Sequence, residues 1–188
     1  MRLQTLYEKP AEKVNYLLTI IGFVAAVGFS IVMAPIEEYL TTNSPYGVLD
    51  LEFMLTSSQA AAILTAWGSI GIEKEIFVTY VDMGFLVSYS TFIAFLNLMI
   101  IRSCVKKSIF VQTQNFPLIV GFAFPYIAAL FDFIENINLL IVLQNPTSFS
   151  SFNPLLATIF ATMKFGLLII SILFSLFLLI RRLIPKSS

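Results

Sequence analysis

Four stretches of this chain are each long and apolar enough to cross a hydrocarbon core, which takes about 20 helical residues. They cover about 14–34, 76–101, 116–143 and 155–180. Lipid offers no hydrogen-bond partners, so a segment must satisfy its own backbone, and spans of this kind are helices. The chain is therefore expected to be all-α, a polytopic membrane protein folded as a four-transmembrane-helix bundle in a single membrane domain, 1–188. Composition agrees, with 58% hydrophobic residues and only 12% charged, where soluble domains carry about 25% charged residues.

The third stretch holds Pro117 and Pro125, and Pro125 is expected to remove one backbone hydrogen bond and kink the helix, which neighbouring helices tolerate. In the first stretch, Val32-Met33-Ala34 resembles a signal-peptide cleavage site. Its apolar run is too long for a signal's h-region of about 7 to 15 residues, and Pro35 follows directly, so it reads as a retained helix. Lys and Arg set the orientation. Arg2, Lys9 and Lys13, then Arg102, Lys106 and Lys107, then Arg181, Arg182 and Lys186 all fall on one side of a four-span arrangement. The other side has only Lys74. Both N- and C-termini are expected to be cytoplasmic in an integral membrane protein, of the cell membrane if the source is prokaryotic.

The outer loop, 35–75, is too long for a turn and carries Glu37, Glu38, Asp50, Glu52, Glu73 and Glu75. Thr56-Ser-Ser-Gln59 has the form of a capping box. It predicts a short amphipathic helix over about 57–69 with Ile63, Leu64 and Trp67 on one face. This helix is expected to lie over the outer mouth of the bundle; continuity with the second span is the alternative.

His is absent and there is a single Cys104. That removes the commonest metal ligand and neutral-pH base, and every cysteine-rich zinc pattern. No phosphate loop or nucleophile elbow occurs. Neither cofactor nor metal is expected. Net charge is zero with no dense basic face, so nucleic acid is not an expected partner.

What remains is a polar constellation inside apolar helices. Asp132, Glu135 and Asn136 share one face of the third span. Counting helix rise from the outer ends, Asp82 lies about 9 Å deep, Glu135 about 12 Å, Lys164 about 13 Å and Asp132 about 16 Å. Three helices thus place three acids and one base in one outer-half layer. Ionisable groups at that depth are costly and mark a packed polar interior or a functional site. One reading is a satisfied network, with Lys164 paired to Asp132 or Glu135 and Asn136 bridging helices. The other is a site, because acids outnumber bases and a carboxyl without a cation can hold a proton or anchor a ligand. Tyr89 shares the face of Asp82 and is placed to donate to it. Asn15 and Asn97 are expected in interfacial roles near the cytoplasmic ends, and Asn138 has no special role.

The pieces Gly47-Val-Leu-Asp-Leu-Glu-Phe53, Trp67-Gly68, Val81-Asp82 with Tyr89, and Asp132-Phe-Ile-Glu-Asn136 resemble a pattern in small uncharacterised prokaryotic four-span membrane proteins with a D-x-x-E-N motif. The likeness covers roughly 47–140 and implies architecture and acidic positions, without an activity. A looser likeness is to the sterol isomerase and sigma-2 receptor-like four-helix proteins, whose bundles hold acidic groups open to lipid ligands. The lack of His and of a full motif argues against isomerase activity here.

The leading expectation is a protein that binds or senses a lipid-like small molecule, with Asp132 and Glu135 at its polar head, Asn136 orienting them and Lys164 balancing charge. The alternatives are a membrane-embedded enzyme using a carboxyl as acid and base, a coupled transporter, and a structural or assembly protein. The lipid bilayer is the expected partner, and a second copy of the chain is compatible with the apolar faces.

Overall fold

The computed structural model describes residues 11–106 and 115–183. The basic residues Arg2, Lys9, Lys107 and Lys186 lie outside them. All regular structure among the described residues is helical, and four helices are long and apolar enough to cross a membrane. The first is α1 (Glu12–Asn43), followed by the single-turn α2 (Val48–Glu52) and the 50-residue α3 (Ser57–Lys106). A three-residue turn α4 (Phe116–Leu118) and a π-helical segment (Ile119–Ala123) lead into α5 (Phe124–Gln144), and α6 (Phe152–Leu183) closes the chain. The chain is an all-α membrane protein.

Helix α1 continues nine residues past the expected stop at Ala34, through Pro35. Proline does not stop it because a membrane helix re-satisfies the freed backbone locally. The expected loop helix and second span are joined into α3. A straight helix of that length would reach about 75 Å, far more than a bilayer core. Gly68 resolves this with φ 62° and ψ −174°, a break between the arm before it and the span after it. The range Ser57–Lys106 is thus two helices meeting at a kink, and the first ends at Gly68, close to the end expected for the loop helix. Thr56 and Gln59 form the reciprocal cap, with Gln59 N–H donating to Thr56 Oγ1 at 3.2 Å and Thr56 N–H to Gln59 Oε1 at 3.1 Å. The arm buries Ala60, Ile63, Leu64 and Trp67, one face at helical spacing, against Leu40, Leu51, Met54, Leu139 and Leu143. Trp67 is buried rather than interfacial, and its Nε1–H donates to the Tyr46 carbonyl at 2.9 Å.

Pro125 stands in the first turn of α5, directly behind a π-helical segment, and the consequence of its missing N–H is specific. Its missing N–H leaves the Gly121 carbonyl, four residues back, without its helical donor. The segment before it winds as a π-helix, where Phe124 N–H reaches Ile119 O, and Asn97 Nδ2 donates to Gly121 O at 2.8 Å. Asn97 also donates to Ser171 Oγ at 2.9 Å and accepts from Ser175. Asn97 is 2% exposed, so the interfacial role expected of it is wrong; it ties α3, the π segment and α6 together. Asn15 is likewise buried rather than interfacial, without a side-chain hydrogen bond.

Candidate functional site

A polar layer lies toward the end of the bundle that carries α2. Lys164 of α6, 5% exposed, sits at its centre. Its Nζ lies 2.9 Å from Asp132 Oδ1, 2.8 Å from Glu135 Oε2 and 3.3 Å from Glu52 Oε1. Asp132 and Glu135 come from one face of α5, three residues apart, so a single cation from α6 meets both. The third carboxylate was not foreseen. It belongs to α2, a five-residue helix held by two local devices: Asp50 accepts from the Gly47 N–H at 2.8 Å and Glu37 of α1 accepts from the Val48 N–H at 3.0 Å. Thr158 fastens α2 to α6 by donating to the carbonyls of Glu52 and Met54. Burial raises the Glu52 carboxyl above its ordinary value, and the neighbouring Lys164 ammonium offsets part of the rise.

Tyr89 donates to Asp132 Oδ2 at 2.8 Å, not to Asp82 on its own helix. Asp82 instead accepts from Asn136 Nδ2 at 2.6 Å. Asn136 therefore orients Asp82 rather than Asp132 and Glu135. Asn138, expected to have no role, donates to the Ile134 carbonyl and accepts from Asn153, joining α5 to the start of α6.

The expected site residues Asp82, Asp132, Glu135, Asn136 and Lys164 thus fall into two groups. Asp132, Glu135 and Lys164 are turned on one another. Asp82 and Asn136 line a cavity of about 380 Å³ between α1, α2, α3 and α5. Glu37, Glu52 and Glu75 line the same cavity, with Thr79 and the apolar Met33, Leu49, Val78 and Leu139. Glu75 is 1% exposed and its Oε2 has no hydrogen-bond partner; Glu52 Oε2 also has none. Sequence reasoning assigned both to the outer loop, 35–75. The signal for Glu75 was present: it lies seven residues before Asp82, on the same helix face. Placing the span's start at Ile76 excluded it by one residue.

This arrangement belongs to a four-span helical membrane protein with an acid-rich cavity beside a buried ionic triad. No protein-family model, curated protein or solved structure matches the chain.

Proposed function

We propose that the protein is an integral membrane protein, termini cytoplasmic, that binds and senses a lipid-like small molecule in the acid-rich cavity. The observation that carries this reading is the cavity itself: about 380 Å³, with apolar walls and a buried Glu75 oxygen that no protein donor reaches. Ligand pockets are apolar cavities of about 300–1,000 Å³ with a few placed polar groups. Under this reading Asp82, Asn136 and Glu75 contact the polar head. Asp132, Glu135 and Lys164 form the packed floor that fixes α5 and α6, because their charges are already directed at one another. The orientation rests on Lys13, Arg102 and Arg181 at the helix ends near the termini, against the acidic α2 end.

Native mass spectrometry of detergent-purified protein tests it. A co-purifying amphiphile is expected on wild type and lost from folded Glu75→Gln and Asp82→Asn. Wild type emerging bare after extraction in several mild detergents, with all variants equally folded, would overturn it.

A further inference from the structure

We infer that the head of the bound molecule is a cation, an alkylammonium, and that Glu75 and Asp82 are its counter-ions; this rests on the amphiphile-binding reading above. The argument starts from charge. Lys164 is the cation of the polar layer and its contacts are with Glu52, Asp132 and Glu135. Among the described residues no Lys or Arg nitrogen lies within ion-pair distance of Glu75 or Asp82. Asp82 has one neutral donor, Asn136. A buried carboxylate without a partner is among the costliest groups a fold can carry. Protonation would remove the charge of Glu75 and still leave Oε2 without a hydrogen-bond partner in the chain.

The unpaired Glu75 oxygen is independent of the cluster's acidity, and it points to a donor supplied from outside the chain. The shape of the site decides which donor. Among the described residues no three acidic groups converge closely enough to hold a metal ion. The cavity is an order of magnitude larger than the roughly 30 Å³ that one water occupies. Its walls include Met33, Leu49, Val78 and Leu139, surfaces that suit methylenes. An ammonium carries several N–H donors: one can meet the Glu75 carboxyl, its charge offsets that of Asp82, about two helix turns further along the same cavity wall, and its alkyl chain lies on the apolar residues.

Glu52 gives the site a second property. One of its oxygens faces Lys164 at 3.3 Å, the longest of the three pairs, while the other has no partner and the residue lines the cavity. Glu52 therefore adds a third carboxylate to the cavity wall while one of its oxygens stays with Lys164.

The test uses a matched pair of probes, tetradecylamine and tetradecan-1-ol, titrated onto the full chain in maltoside micelles and read by native mass spectrometry. The amine is expected to bind at least tenfold more tightly than the alcohol. Glu75→Gln and Asp82→Asn should each cut that preference several-fold, and Glu38→Gln, on the exposed face of α1, should not. Equal binding of amine and alcohol to wild type, or a preference that survives both Glu75→Gln and Asp82→Asn, would overturn the charge assignment while leaving amphiphile binding intact. Failure of both probes to bind folded wild type would overturn both readings.

Discussion

Replacing Lys164 by Met separates an ionic floor from a set of incidental polar contacts. Methionine has similar length and no charge, so it fills the space and removes only the cation. Three carboxylates then lose their counter-ion. Asp132 keeps the Tyr89 hydroxyl at 2.8 Å, whereas Glu135, 0% exposed and with no hydrogen-bond partner at Oε1, keeps nothing comparable. Removing one partner of a buried ion pair costs about 3–5 kcal/mol; a single hydrogen bond between membrane helices averages about 0.6 kcal/mol. Lys164→Met should therefore lose about 3–5 kcal/mol at pH 7. Adding Glu135→Gln should return part of the loss, because the worst stranded charge is gone. Trp67 is the only tryptophan of the chain and is buried in the cluster that joins α1, α3 and α5. Its fluorescence during unfolding in SDS–maltoside mixed micelles is thus a direct reporter. A Lys164→Met variant within about 1 kcal/mol of wild type would refute the reasoning, since that is the scale of the weak bonds. So would a double variant less stable than the two single losses combined.

Asn97→Ala should cost about 1–3 kcal/mol by stranding the Gly121 carbonyl. Pro125→Ala, which restores an N–H four residues on, should recover some of that loss in the same unfolding assay; no recovery would show that the carbonyl is not the cause. Gly22→Ala should destabilise by about 1–3 kcal/mol, because a Cβ there would sit 2.7 Å from the Phe92 backbone nitrogen. Gly28→Ala, which meets nothing within 4 Å, is the control, and equal melting temperatures for the two would contradict the close α1–α3 approach. For Glu52, a raised carboxyl pKa means that the folded state holds the proton more tightly than the unfolded one. Its contribution is full below the ordinary value near 4.5 and is lost as pH rises through the raised value. Glu52→Gln should make stability fall less steeply with rising pH above 4.5 than in wild type, and an unchanged slope would count against the burial of that carboxyl.

Four spans were legible because a 20-residue apolar run has few other uses. The layer of Asp132, Glu135 and Lys164 was legible because helix rise converts sequence position into depth. What escaped reading depends on contacts between distant parts. Glu52 looks like one more loop acid until Thr158 and Glu37 fix α2 over the bundle. Asn97 looks interfacial until the demand created by Pro125, 28 residues on, is known. Tyr89 shares a helix face with Asp82, yet a partner on α5 won it. Same-helix spacing predicts which side chains are neighbours, but packing decides which neighbour is bonded.

The pairing of α5 with α6 bears on how the chain enters its membrane. Helix α5 carries Asp132 and Glu135 and no basic residue of its own, and an acid such as Asp at mid-span costs about 2.5–3.5 kcal/mol during insertion. The Gly121 carbonyl left by Pro125 adds to that cost until α3 lies alongside. The compensating ammonium is synthesised only later, on α6, after the short connection at 145–151. The third span is thus a poor candidate for release into lipid by itself. It is better suited to leave the insertion machinery as one arm of a hairpin, its acids already facing Lys164. Translation order then becomes part of the chemistry of the ionic triad: a stop codon or a pause between α5 and α6 would leave two carboxylates in search of a cation that has not yet been made.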